Sequence, residues 1–387
     1  MTLRFDTVLV RFGEIAVKSP VVRRRMEDKL IDNLLHMLKR CGIGSTVLDR
    51  EWGRIIIYTP HVDDVCRVAC RCFGVTSVSP AVRTDLSLDS IRDTVIKLAQ
   101  TVLAPGMRFA IEVNRANKRF PYTSLELKKI LGSDVLSYVK GLKVDLERPD
   151  VTIYVEIRDR YAYVFKDFHE GPGGLPYGVE GRVVSLISGG VDSAVATWLV
   201  MKRGCEVIPI YCDLTPYTSE EARERARRVL QWLREWVPQD RWRLYVVPLG
   251  RAHEKVPNAG RYRCLLCKVL MYRVAEEVAR RERAKAIVTG ESIGQVASQT
   301  LDNLYFLSTS IRMPVIRPVV AMDKNEIGAL ARRIGVYDIA ARDVIACKLV
   351  PKYPITHAKE KDRKVLEDFG IENLVELLVR EMEVTEL

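Results

Sequence analysis

The stretch Ser188-Gly189-Gly190-Val191-Asp192-Ser193 constrains this chain more than any other. Before it, Arg182-Val183-Val184-Ser185-Leu186-Ile187 is short and largely apolar, which predicts a buried parallel strand. After it, Ala194 to Arg203 is apolar at helical spacing and ends at Gly204, a residue suited to a helix C-cap. A strand, a glycine turn and a helix start in that order aim backbone N–H groups at whatever sits above the turn. Anions, phosphates above all, are stabilised there. The glycines let the main chain approach closely, Ser188 and Ser193 add hydroxyls, and the Asp192 carboxylate suits Mg²⁺ or ligand orientation. The spacing is neither that of a Walker loop nor of a dinucleotide fingerprint.

From residue 182 onward, strands and helices alternate. Cys205 to Cys212, Arg243 to Pro248, Ala286 to Thr289 and Ile316 to Val320 read as further strands. A helix follows Thr218-Ser219, another spans about Cys267 to Arg281, and Asp323 with Glu326 caps one reaching Ile334. This alternation predicts an α/β doubly wound parallel sheet with ligands at the C-terminal strand ends, where Ser188, Tyr211-Cys212 and Thr289-Gly290 all fall. No further domain is expected after residue 340.

The part before residue 182 has another pattern. Its first segment reads βαββαβ, the order of a ferredoxin-like α+β unit. Arg83 to Phe168 then contains the run Arg115-Ala116-Asn117-Lys118-Arg119-Phe120-Pro121-Tyr122-Thr123-Ser124. Cations for phosphates, rings for bases and hydroxyls for ribose are interleaved there, as a single-stranded RNA end requires. A solvated basic loop is the plainer alternative. Thr123 and Glu126 form a capping box opening the next helix. Gly171-Pro172-Gly173-Gly174 with Pro176 and Gly178 marks a linker. The predicted division is 1–75 ferredoxin-like, 76–168 RNA-binding, 169–181 linker and 182–387 nucleotide-binding.

A balance of 61 Lys and Arg against 50 Asp and Glu leaves a net charge of +11 in 387 residues, consistent with a nucleic-acid partner. No signal-peptide pattern or membrane-length apolar run occurs, and the nine cysteines form no dense framework. A cytoplasmic protein with reduced thiols is expected. Cys41, Cys66, Cys70, Cys72 and Cys205 read as core residues, and Cys212 ends its strand at the cleft. Cys264-Leu265-Leu266-Cys267 is a C-x-x-C pair whose one downstream companion is Cys347. Three thiolates suit a 4Fe–4S cluster with one open iron; a redox dithiol, a Cys₃ zinc site and plain buried cysteines compete.

Three resemblances follow. Ser188 to Ser193 resembles the PP-loop of ATP pyrophosphatases, and residues 114–124 with Pro149-Asp150-Val151 and Val155-Glu156-Ile157 resemble a THUMP domain. With Arg11-Phe12-Gly13-Glu14-Ile15-Ala16-Val17-Lys18, Thr289 to Thr300, Arg317-Pro318 and Asp323-Lys324, nearly the whole chain resembles the tRNA 4-thiouridine synthetase family. That resemblance implies adenylation of O4 of tRNA uridine 8 by ATP, then sulfur attack at C4 with loss of AMP. It implies adenosine contacts from Leu186, Ile187, Tyr211, Cys212, Lys268, Gly290 and Gln299, and pyrophosphate contacts from Ser188, Gly189, Gly190, Asp192 and Ser193. Asp192 and Cys347 would be catalytic, and Arg115, Lys118, Arg119, Tyr122 and Ser124 would bind RNA. Relatives with a rhodanese domain carry a persulfide there; no such domain is expected in this chain, whose last residue is Leu387. Cys264, Cys267 and Cys347 are therefore expected to hold the cluster, with inorganic sulfide or a cysteine desulfurase as donor and a homodimer as the assembly. Persulfide chemistry on Cys347 is the alternative, and a non-catalytic tRNA-binding protein the competing class. A role in thiamine synthesis is known in the wider family, and no residue here points to it.

Overall fold

A computed structural model of the chain describes residues 3–44, 46–345 and 347–387. It divides into two compact units, Met1–Glu27 with Leu34–Gly173, and Asp28–Asn33 with Gly174–Leu387.

The first unit is built on β1 (Thr7–Phe12), α1 (Pro20–Arg40), β2 (Val47–Glu51), β3 (Arg54–Tyr58), α2 (Val62–Ala69) and β4 (Val75–Asp85). It continues with α3 (Leu88–Val102), β5 (Arg108–Arg115), α4 (Ser124–Tyr138), β6 (Lys143–Val144), β7 (Val151–Ile157), β8 (Tyr161–Phe165) and β9 (His169–Glu170). The strands form one sheet in the order β2-β3-β1-β4-β8-β7-β5-β6, with β9 on β4. The ferredoxin-like order is present, with β1 antiparallel to both β3 and β4. Besides β9, strand β4 serves two neighbours in turn. Residues 75–81 pair with β1 and Val82–Asp85 with β8, so one strand carries the sheet from the first segment into the second. Apolar faces of α3 (Ile91, Val95, Leu98) and α4 (Leu127, Leu131, Val135) close on Phe109, Ile111, Ile153 and Val155.

The second unit contains β10 (Arg182–Leu186), α5 (Val191–Lys202), β11 (Glu206–Cys212), α6 (Glu220–Arg234), β12 (Arg243–Val247), α7 (Leu249–Lys255) and α8 (Arg263–Glu282). It ends with β13 (Ile287–Val288), α9 (Leu301–Ser308), β14 (Val315–Ile316), α10 (Lys324–Ile334), α11 (Tyr337–Ala340), α12 (Lys361–Asp368), α13 (Ile371–Glu381) and β15 (Glu383–Glu386). The sheet order is β14-β13-β10-β11-β12-β15. The first five strands are parallel, and β15 joins the edge antiparallel to β12. Helix α8 packs with α7 and α13, while α5 packs with α6, α10 and α11, giving the doubly wound arrangement. The chain reverses its winding between β10 and β13, so a crevice opens at their C-terminal ends. Among the described residues no helix is long and apolar enough to cross a membrane.

Several local expectations are corrected. Helix α8 starts at Arg263, not near Cys267, so both cysteines of the pair lie in its first two turns. Its opening turn, Arg-Cys-Leu-Leu, carries no N-cap residue that sequence would flag. The fifth parallel strand is only Val315–Ile316, because Arg317 and Pro318 turn away at once. Cys41 is exposed, and Cys70 and Cys205 are only half-buried. Residues beyond 340 complete the second core, where Leu374 and Leu378 of α13 pack with Val278 and Ala252.

The first unit buries an ionic knot. Glu156 is 2% exposed and meets Arg54 Nε at 3.0 Å, Arg158 Nε at 2.7 Å and Arg11 Nη2 at 3.8 Å. Burial pushes its carboxyl up, but Arg54 and Arg158 outweigh burial and hold it below the usual range. Arg11, beside two other cations, is pulled down to about 10, chiefly by burial and then by Arg54. Removing Glu156 leaves Arg11 and Arg54 as buried like charges, while Arg158 keeps Glu51 at 3.3 Å. Glu156→Gln is expected to cost roughly 3–5 kcal/mol of unfolding free energy in a denaturant titration. A depressed carboxyl stabilises fully above its unfolded pKa and loses that contribution as pH falls through the folded value. The gap between wild type and variant should therefore narrow on acidification below about pH 4.

Candidate nucleotide and thiol site

The loop after β10 is shaped by close backbone contacts. Gly189 has φ +77°, and a Cβ there would fall 2.5 Å from Cα of Ala226. Gly190 is the N-cap of α5 and supplies no side-chain cap, which leaves the helix N–H groups open to a ligand. The two serines differ in role. Ser193 is buried; its hydroxyl accepts from Ser188 N at 3.2 Å and donates to Gly190 O at 3.0 Å, so it staples the turn. Ser188 is exposed, with its Oγ 3.1 Å from Ser193 Oγ. Asp192 is half-buried. Burial raises its carboxyl above the ordinary value, and Lys324 at the start of α10 partly offsets this.

The loop after β13 lies directly on this turn. A Cβ on Gly290 would sit 2.5 Å from Ser193 N and 2.6 Å from the Asp192 carbonyl carbon. The backbone of 289–291 thus presses on the first turn of α5, a contact only glycine permits.

A cavity of about 260 Å³ opens beside the turn. Leu186, Ile187, Ser188, Tyr211 and Cys212, five of the residues predicted to contact nucleotide, line it. Lys268, Gly290 and Gln299 are not part of this lining. Lys268 is paired with Glu291 at 2.7 Å, and Gln299 Oε1 accepts from Ser292 N at 3.4 Å. The wall also includes Met271 and Arg225, which sequence reasoning missed. Arg225 donates Nη1 to Arg342 O at 2.9 Å while its buried Nε has no partner. Only its helical spacing on α6 could have pointed inward, and that is shared by many surface arginines.

Cys347 lines the same cavity, opposite the phosphate turn in sequence but not in space. The Cys267 thiol is pushed up first by burial and then by Cys212, Cys347 and Cys264. Cys264 is pushed up by burial and by Cys347, and Lys268 pulls both of the pair down. Cys347 shares the cavity with Cys212, whose thiol burial raises to about 12, while Cys264 and Cys267 lie in the first two turns of α8. Among the described residues no three His, Cys, Asp or Glu side chains close around a single metal ion.

In the first unit, the basic loop is corrected in two places. Arg115 donates Nη1 to Phe120 O at 3.0 Å and Tyr122 O at 2.9 Å, so it braces the loop. Phe120 is 7% exposed and belongs to the core, leaving Tyr122 as the half-exposed ring. Lys118 and Arg119 are exposed, and Ser124 opens α4 behind a capping box of Thr123 and Glu126.

Comparison with known proteins places these features together. The family model described as thiamine biosynthesis protein (ThiI) matches residues 178–369, a THUMP domain matches 86–167, and the ThiI ferredoxin-like domain matches 7–79. A probable tRNA sulfurtransferase of Methanothermobacter thermautotrophicus is 39% identical over 363 residues, covering 92% of this chain and 91% of its own. One from Methanosarcina mazei is 38% identical over 396 residues, covering 99% and 96%. The chain belongs to the tRNA sulfurtransferase family. Among solved structures, a 4-thiouridine synthetase–RNA complex with bound ATP is similar at TM-score 0.88 and 30% identity, covering 99% of this chain and 100% of that one. PH1313 from Pyrococcus horikoshii is similar at TM-score 0.68 and 26% identity, covering 85% and 99%. Within this sulfurtransferase fold, Ser188 of the phosphate turn and Cys347 meet at one cavity although about 160 residues separate them.

Two outcomes follow for this family member. Gly290→Ala should displace the first turn of α5 and lower the melting temperature by several degrees, about 2 kcal/mol or more by the cost of overpacking. Separately, Lys118→Ala and Arg119→Ala should each weaken binding of RNA in a filter or fluorescence titration. Each should reduce the slope of log affinity against log salt by about 0.7–0.9, whereas Arg115→Ala should also lower the unfolding temperature.

Proposed function

We propose that the chain is an ATP-dependent tRNA uridine 4-sulfurtransferase acting at uridine 8. One observation carries the reading: a single cavity at the C-terminal ends of β10 and β11 is lined by Ser188 of the phosphate turn and by the thiols Cys212 and Cys347. Activation by a nucleotide and delivery of sulfur are thereby brought to one place.

The chemistry follows from the residues. Adenosine occupies the apolar side formed by Leu186, Ile187 and Tyr211, with Arg225 and Lys268 available to its phosphates. The open N–H groups at Gly190 and the start of α5 receive the β- and γ-phosphates. Uridine O4 attacks the α-phosphorus, the bond to the β-phosphate bridging oxygen breaks, and pyrophosphate leaves. Sulfide sulfur then adds at C4, and the C4–O4 bond breaks with O4 departing in AMP. Asp192, partly desolvated, suits a Mg²⁺ shared with the phosphates, as such sites combine one or two carboxylates with substrate oxygens. Cys264, Cys267 and Cys347 suit a 4Fe–4S cluster by donor type and number. Bound there, it would supply an iron with an open coordination position. Sulfide or a cysteine desulfurase would provide the sulfur. A Cys347 persulfide is the second reading, favoured by the position of Cys347 on the cavity wall. The first unit, with segments taken as 1–75 and 76–168, presents tRNA through Lys118, Arg119, Tyr122 and Ser124, with Arg115 holding the loop in shape. A homodimer in the cytoplasm is the proposed setting.

Asp192→Asn should bind an ATP analogue within a few-fold of wild type yet lose tRNA-dependent pyrophosphate release by about a hundredfold or more. Unaltered release would remove Asp192 from the mechanism. Purified without oxygen, wild type should carry about four irons per chain and absorb near the visible blue, and Cys264→Ala should lose both. Iron-free wild type that thiolates tRNA would transfer the sulfur chemistry to a Cys347 persulfide.

A further inference from the structure

Glu291 follows β13 by three residues and is 6% exposed. Its carboxylate accepts from four side-chain donors. Lys268 Nζ reaches Oε1 at 2.7 Å, while the Tyr272 hydroxyl at 2.5 Å, the Thr289 hydroxyl at 3.0 Å and Arg317 Nε at 3.0 Å reach Oε2. Burial pushes Glu291 up, yet Lys268, Tyr272 and Arg317 hold it below the ordinary carboxylate range. The group is a fixed anion.

The two cations it receives are not equivalent. Arg317 also donates to Ser308 Oγ at 2.9 Å and Tyr272 OH at 3.0 Å, so it has anchors of its own. Among the described residues, Lys268 has Glu291 as the acceptor of its ammonium. An ammonium carries three N–H donors on a flexible stem, so two remain after this bond. Position gives those two a use. Lys268 directly follows Cys267 on α8, and its charge acts on the thiols of both Cys264 and Cys267. Gly290, directly before Glu291, lies on the Asp192–Ser193 backbone of the phosphate turn. The Lys268–Glu291 pair therefore links the cysteine helix α8 to the loop that rests on the phosphate turn.

We infer that Glu291 is a positioning residue for the sulfur-transfer reaction, fixing the Lys268 ammonium so that its two unused N–H groups meet the α-phosphate that departs as AMP. The inference rests on the nucleotide reading above and adds a residue to it. A cation held in place before the reaction stabilises developing phosphate charge without reorganising, whereas a free lysine must first be ordered. Glu291 acts only through Lys268, which gives a decisive test by double-mutant cycle.

The rate of tRNA-dependent AMP formation with ATP, Mg²⁺ and sulfide supplied would be measured for wild type, Glu291→Gln, Lys268→Met and the double variant, with thermal melts alongside. Each single change should lower kcat about tenfold or more while leaving KM for tRNA within about twofold, and the double variant should be no slower than Lys268→Met. Losses that multiply in the double variant, or full turnover by folded Glu291→Gln, would overturn the inference. Should Glu291→Gln fail to fold, Glu291→Asp keeps the charge with one methylene less reach; a folded, slow Asp variant supports positioning and a fully active one refutes it. Wild type that forms AMP while the cycle is additive refutes only the role of Glu291. Wild type that forms none refutes the nucleotide reading and this inference with it.

Discussion

The site depends on one close approach: the backbone around Gly290 resting on the first turn of α5. Two strand-end loops from either side of the switch between β10 and β13 are in direct contact, without a side chain between them. That contact fixes the start of α5, and with it the open N–H groups that can receive phosphate. It also places Glu291, whose carboxylate accepts from the Thr289 hydroxyl and from Lys268 and Tyr272 of α8. The phosphate turn and the cysteine helix are thereby referenced to the same short piece of chain. Elsewhere the turn is held in the same manner, by Gly189 against Ala226 and by the Ser193 hydroxyl across the loop.

Both units use buried ions where a small apolar residue would have been cheaper in desolvation. Glu156 gathers three guanidinium groups, and Glu291 gathers a lysine and an arginine. Replacing such a group by apolar residues is often neutral for stability, so an ionic core is weak evidence of a stability role. Around Glu291 the location supplies another reason, since it ties the cysteine helix α8 to the loop that rests on the phosphate turn. Around Glu156 the structure shows a sheet-spanning tie that joins β3, β7 and the end of β1.

Much of this was legible in the sequence because the relevant signals are local. Ser188 to Ser193 announces a strand-to-helix turn by residue type and flanking periodicity, and both capping boxes, at Thr123 and Asp323, are four-residue patterns. The alternation of strands after residue 182 gave the parallel sheet. What escaped was non-local. Arg225 and Met271 reach the cavity only once α6 and α8 are packed, and nothing in their neighbours distinguishes them. Cys212 joined the other thiols because β11 ends beside α8, a proximity with no trace in spacing. Phe120 looked like a stacking ring because its neighbours are polar, yet it faces the core of α3 and α4. Strand β15 is a charged tetrapeptide, Glu383–Glu386, that pairs by backbone at a sheet edge and carries no apolar alternation.

The central claim is that one cavity both activates a tRNA uridine with ATP and receives sulfur. It is tested most directly by incubating the anaerobic protein with ATP, Mg²⁺, sulfide and unmodified tRNA, then digesting the tRNA to nucleosides for mass spectrometry. The account predicts 4-thiouridine, confined to uridine 8 and formed one for one with AMP. Tight binding of tRNA and ATP with AMP formed but no thiolated nucleoside, or a thiolated base at another position, would contradict it.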